Sequence, residues 1–117
     1  MTRRTIYRLT DIRDAIANIR RLLGGKTFEQ MYADPDIRAA FERYLEIASE
    51  ASRHIPEELK NSHGQGVPWR NVADLGNVLR HTYHKSDARS LWDIYATELD
   101  TLDHAVTAMM QAVSEAE

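Results

Sequence analysis

Arg70, Asp74, Asn77 and His81 stand at i, i+4, i+7 and i+11. On a helix turning about 100° per residue they fall within about 60° of one another. The stripe carries a guanidinium, a carboxylate, an amide and an imidazole, and Arg80 directly precedes the imidazole. Histidine is the side chain best suited to moving protons near neutral pH. A guanidinium stabilises negative charge that develops in a transition state. The plainer reading is a hydrogen-bond network in which Asn77 and His81 join two helices at a dimer seam. Gly76 interrupts the same segment. A glycine inside a helix costs about 1 kcal/mol relative to alanine, which suggests close approach by another helix or a ligand.

His81, His84 and Asp87 are spaced by threes, a separation that could serve a transition metal on an unbroken helix. A helix start near Ser86 spoils that geometry, so neither a metal site nor a cofactor is expected. The chain has no cysteine, which excludes disulfides, thiolate zinc sites and a cysteine nucleophile together. The methionines Met109 and Met110 and both tryptophans read as core fillers.

The elements that must position these groups are helical throughout. Ile12, Ile16, Ile19 and Leu23 form one apolar stripe at the helical period. Thr10 is a candidate cap for that helix, although Ile6 and Leu9 extend the stripe backwards toward Thr5. Gly24-Gly25 ends it. A short helix or turn over Thr27 to Tyr32 places Phe28 and Met31 inward. Asp34-Pro35 then opens a second long helix running to about His54, with Ile37, Phe41, Tyr44, Leu45 and Ala48 on its apolar face. One further turn follows Pro56. Pro68 opens a third helix over Trp69 to about His81, in which Val72, Leu75, Leu79 and Tyr83 face the core. Ser86-Asp87 can cap a fourth carrying Leu91, Trp92 and Tyr95. The last, with Leu99, Leu102, Val106, Met109, Met110 and Val113, is either separate or continuous with the fourth through Glu98. No period-two strand pattern appears. The expected fold class is all-α, an antiparallel bundle of four to five main helices forming a single domain over 1–117.

Composition narrows the function class. Hydrophobic residues make up 43% and charged residues 28% of 117, which suits a folded domain large enough for its own core. No apolar run reaches the roughly 18 residues of a membrane span, no signal-peptide pattern opens the chain, and a cytoplasmic location is expected. The net charge of −3 hides an asymmetry: residues 1–26 carry seven Lys/Arg against two Asp/Glu, while residues 91–117 carry no Lys/Arg and six Asp/Glu. Opposed basic and acidic zones are one reading, and ordinary solvated helix faces the other. The acidic balance argues against indiscriminate nucleic-acid binding but leaves room for a local basic patch.

The stretch from Val67 to Tyr83 reads Val-Pro-Trp-Arg-x-x-Ala-x-x-x-Asn-x-x-x-His-x-Tyr. It resembles the signature segment of HepT-like proteins in the HEPN superfamily, and the likeness extends over nearly the whole chain. It includes Lys26-Thr27-Phe28-Glu29-Gln30, Leu45 to Ala51, and Leu91-Trp92-Asp93. The resemblance implies a HEPN-like bundle that forms a homodimer and cleaves RNA without metal. It further implies the toxin role in a toxin–antitoxin pair, with a minimal nucleotidyltransferase as antitoxin that adds AMP to the motif tyrosine. By position the motif asparagine is Asn77, the histidine His81 and the tyrosine Tyr83. The family arginine has no counterpart: its expected places hold Asp74, Leu75 and Gly76. Arg80 and Arg70 are the candidate substitutes. His81, Arg80 and Asn77 are therefore the expected catalytic residues, and Arg70, Asn77 and Arg80 the expected RNA- or nucleotide-binding ones. The alternative is a catalytically impaired HEPN domain that binds a nucleotide, RNA or the nucleotidyltransferase without cutting.

Overall fold

The computed structural model describes residues 3–82 and 84–116. They form seven helices: α1 (Arg3–Leu23), α2 (Phe28–Ala33), α3 (Pro35–Ser52), α4 (Glu57–His63), α5 (Trp69–Arg80), α6 (Lys85–Thr97) and α7 (Leu99–Ala116). No strand occurs among the described residues. The all-α, HEPN-like bundle expected from the sequence is the observed architecture, with α2 and α4 as short additions to five longer helices.

The stripe Ile12, Ile16, Ile19 and Leu23 is almost wholly withdrawn from solvent, each residue at 0–1% exposure. Side chains of this size contribute about 1.5–3 kcal/mol each when fully buried, so α1 is the spine on which α3 and α7 pack. Thr10 is not the cap. Leu9 is buried and Ile6 packs on the core, so the apolar stripe carries the helix back to Arg3 and leaves Thr10 in its interior. α1 stops at Gly24-Gly25, where Gly25 takes a left-handed φ of 78° that strongly favours glycine.

Local capping sets the next elements. The Thr27 hydroxyl accepts from the Gln30 N–H (3.1 Å) and the Gln30 side chain accepts from the Thr27 N–H (2.9 Å), a reciprocal pair that starts α2. The Asp34 carboxylate accepts from the N–H groups of Asp36 and Ile37, and Pro35 occupies the first helical position of α3. α3 ends at Ser52, slightly earlier than its apolar pattern suggested. Glu98 separates α6 from α7, so the last two helices are distinct.

α3 lies between α1 and α5. α5 runs antiparallel to it: Arg53, at the end of α3, meets Ala73, whereas Arg43 and Arg80 share one cleft further along. α7 meets the end of α1 through Arg20, which pairs with Asp100 (2.5 Å) and Asp103 (2.6 Å). Part of the charge asymmetry is thus resolved inside the molecule, the acidic last helix neutralising the basic first one. Hydrogen bonding to these carboxylates, Asp103 first, raises the Arg20 guanidinium pKa further above its already high ordinary value.

A tight joint holds the start of α5. The Trp69 indole N–H donates to the Gly64 carbonyl (2.9 Å), and the Lys60 ammonium lies 5.5 Å from the centre of the same ring. A Cβ at Gly64 would come within 2.8 Å of the indole and 2.6 Å of Met109 Cε. Gly64→Ala is expected to lower stability by roughly 1–3 kcal/mol, the usual penalty for overpacking, read from denaturant unfolding midpoints.

Glu42, half-buried on α3, has its carboxyl pushed above the ordinary range by desolvation, with Arg38 acting in the opposite sense. The fold therefore favours the protonated acid. Its favourable contribution is complete below the ordinary carboxylate pKa and is lost as pH rises through the elevated one. Glu42→Gln is expected to raise the melting temperature at neutral pH, with the gain shrinking toward zero as melts are repeated at acidic pH.

Candidate functional site

α5 is embedded along one face only. Leu75 is its one buried residue among those described, Val72 and Leu79 are half-buried, and Val78 remains 46% exposed. Polar contacts to one backbone group add a directional tie to its packing on α3. The Ala73 carbonyl accepts from the Ser49 hydroxyl (3.1 Å) and from Arg53 Nε (3.2 Å) and Nη2 (2.8 Å). With that face held against α3, Arg70, Asp74 and Asn77 are all exposed, as their common spacing requires.

The helix ends one residue before the histidine. The Val78 carbonyl receives the His81 N–H (3.0 Å) and the Thr82 hydroxyl (3.0 Å), which satisfies a terminal acceptor and turns the chain out of the helix. His81 thus caps α5 rather than extending its stripe, with φ −120° and ψ 26°. It is exposed. Tyr83, the candidate modification residue, lies outside the described residues. α6 begins at Lys85, so Ser86 and Asp87 lie in its first turn, and of the two expected capping residues Asp87 takes part in the cap from that position. The cap position is His84, whose N–H donates to the Asp87 carboxylate (3.0 Å).

Of the predicted site residues, the structure brings Asn77 and Arg80 together: Arg80 Nη1 donates to Asn77 Oδ1 at 3.0 Å. His81 follows immediately at the helix end. Arg70, ten residues earlier, is about 15 Å away along the axis, too far to join Arg80 around one phosphate within a single chain. Among the described residues no group of three or more His, Asp or Glu side chains is arranged to hold a metal ion.

Gly76 faces α3, but not as a place of forced close approach. A Cβ there would meet only the Ser49 hydroxyl, at 3.9 Å, an ordinary contact. Beyond it opens a polar cleft of about 410 Å³, lined by Arg8 of α1, by residues of α3 and Arg53 just after it, and by Arg80. Sequence reasoning missed Arg8 and Arg53, because neither belongs to a motif and only tertiary packing carries them to α5. Gly76→Ala is expected to stabilise the protein by about 0.5–1 kcal/mol, the ordinary gain for a helix interior, seen as a rise of a few degrees in melting temperature.

Comparisons of the sequence with known proteins point to one family. The profile of the family described as Ribonuclease HepT-like matches residues 12–109. A provisionally named RNase of Caldanaerobacter subterraneus is 33% identical over 74% of this chain and 77% of its own length. A Thermococcus cleftensis protein named Probable ribonuclease HepT is 35% identical over 80% of this chain and 84% of its own. A further provisionally named RNase, from Methanocaldococcus jannaschii, is 33% identical over 74% and 70%. No solved structure matches significantly.

Proposed function

Since this chain belongs to the HepT-like ribonuclease family, we propose that it is a metal-independent endoribonuclease acting as the toxin of a toxin–antitoxin pair. The observation that carries the reading is the exposed end of α5, where Arg80 is held by Asn77 and His81 follows it in the chain. His81 acts as acid and base. The RNA 2′-oxygen attacks the adjacent phosphorus as its proton is withdrawn, the P–O bond to the 5′-oxygen breaks, and that oxygen is protonated. The products are a 2′,3′-cyclic phosphate and a 5′-hydroxyl. Arg80 stabilises the added negative charge on phosphorus, and Asn77, accepting from Arg80 Nη1, positions the guanidinium.

The whole chain, residues 1–117, acts as one domain and works as a homodimer in the cytoplasm. Support for self-association comes from the apolar residues that α5 leaves partly open, Val72, Val78 and Leu79. No helix among the described residues is long and apolar enough to cross a membrane. The partner is a minimal nucleotidyltransferase that restrains the toxin by adding AMP to Tyr83. A second reading rests on Gly76 in place of the motif arginine: the protein binds RNA, a nucleotide or the nucleotidyltransferase and cuts nothing.

Purified protein incubated with labelled RNA in the presence of a chelator is expected to give 2′,3′-cyclic phosphate ends. His81→Ala should slow this roughly 10²- to 10⁴-fold, the usual worth of a positioned acid–base group, and Arg80→Gln roughly 10²- to 10³-fold. Intact RNA after incubation with folded wild-type protein would leave only the binding reading.

A further inference from the structure

The cleft beside Gly76 has an unusual electrostatic arrangement. Four arginines line it, Arg8, Arg43, Arg53 and Arg80, together with the carboxylates Asp11, Glu46 and Glu50. The carboxylates do not cancel the arginines evenly. Arg43 pairs with Glu46 within α3, and Glu50 lies 3.2 Å from the His54 ring. Arg8, Arg53 and Arg80 make no ion pair within the described residues, although Asp11 lines the same space. Three cations, from α1, from α5 and from the residue that follows α3, therefore surround one cleft without a carboxylate bound to any of them.

Two of the three are held in place by neutral groups. Arg53 is tied to the Ala73 carbonyl through Nε and Nη2, which leaves three of its five N–H donors for other partners. Arg80 is tied to Asn77 by a single bond. A guanidinium fixed by neutral acceptors keeps its full charge and loses little further freedom when an anion arrives. The absent side chain at Gly76 keeps the space between them open, and Arg80 joins the cleft to His81 at the end of α5.

We propose that this cleft is a phosphate-binding subsite for an RNA strand, with Arg53 and Arg8 as binding residues beside Arg80. It rests on the ribonuclease reading for the identity of its ligand. The phosphate it holds neighbours the one that is cut, so Arg53 positions the strand and does not act on the reacting atoms.

The test uses full-length protein and a short labelled RNA carrying 2′-O-methyl groups, which cannot be cut by 2′-hydroxyl attack. Binding is followed by fluorescence anisotropy across a range of salt concentrations. Arg53→Gln should weaken binding roughly tenfold, the scale of one charge-assisted contact, and reduce the salt slope by about 0.7 per phosphate lost. Gly76→Glu provides a second variant that leaves the bonds to Ala73 in place. Glutamate favours a helix more than glycine does, and its carboxylate would occupy the cleft, so binding should weaken at least as much. Arg21→Gln, at the far end of α1, should change nothing. If both cleft variants melt like wild type and bind with wild-type affinity and salt slope, the subsite is overturned, while cleavage of unmodified RNA that depends on His81 would leave the ribonuclease reading standing. Wild-type protein that binds the analogue through Arg53 but cuts no RNA would have the opposite consequence. Failure of wild type to bind it at all would overturn the subsite.

Discussion

One carbonyl oxygen ties the candidate functional end of this molecule to the helix behind it. α5 packs on α3 through Leu75 and the half-buried Leu79, and the Ala73 carbonyl adds a directional tie by accepting from Ser49 of α3 and from Arg53 just beyond it. Each such bond contributes modestly in net terms, about 0.5–1.5 kcal/mol for a typical pair, but hydrogen bonds are directional where apolar contacts are not. Once that face is turned to α3, the positions of Asn77, Arg80 and the departing chain at His81 follow from helical geometry. The buried stripe of α1 supplies the platform beneath, because α3 is itself placed by packing on it.

The same economy governs charge. A basic first helix and an acidic last helix are brought together at Arg20, Asp100 and Asp103. Such a cluster at the surface, with Arg20 and Asp103 half-buried and Asp100 exposed, adds only modestly to stability, but it occupies the acidic helix with an internal partner. Around α5 the arrangement is reversed: arginines outnumber the carboxylates that reach them. An acidic protein can in this way present a locally basic face to a polyanion, without the high overall positive charge that promotes indiscriminate binding.

Much of the fold was legible in the sequence because it is written in local signals. The stripe Ile12 to Leu23, the Asp34-Pro35 start of α3 and the Pro68-Trp69 start of α5 each combine periodicity with a terminus signal. The misjudged boundaries share a cause. Thr10 and Ser86-Asp87 carry capping chemistry, yet the apolar residues before Thr10 and the His84–Asp87 bond place the helix starts elsewhere. The candidate site was legible only in part. Asn77 and Arg80 lie a turn apart on one helix, so their contact follows from spacing, whereas the placement of Arg8 and Arg53 beside Gly76 depends on how three helices pack. No local pattern encodes that.

Position 76 has a regular helical backbone and open space before it. Nothing in the fold demands glycine there. Every glycine codon is one base change from an arginine codon, so a long guanidinium side chain could enter the cleft in a single mutational step and meet no backbone obstacle. The scaffold thus sets no steric bar at the first atom of a side chain here, and the bundle does not depend on the residue being glycine.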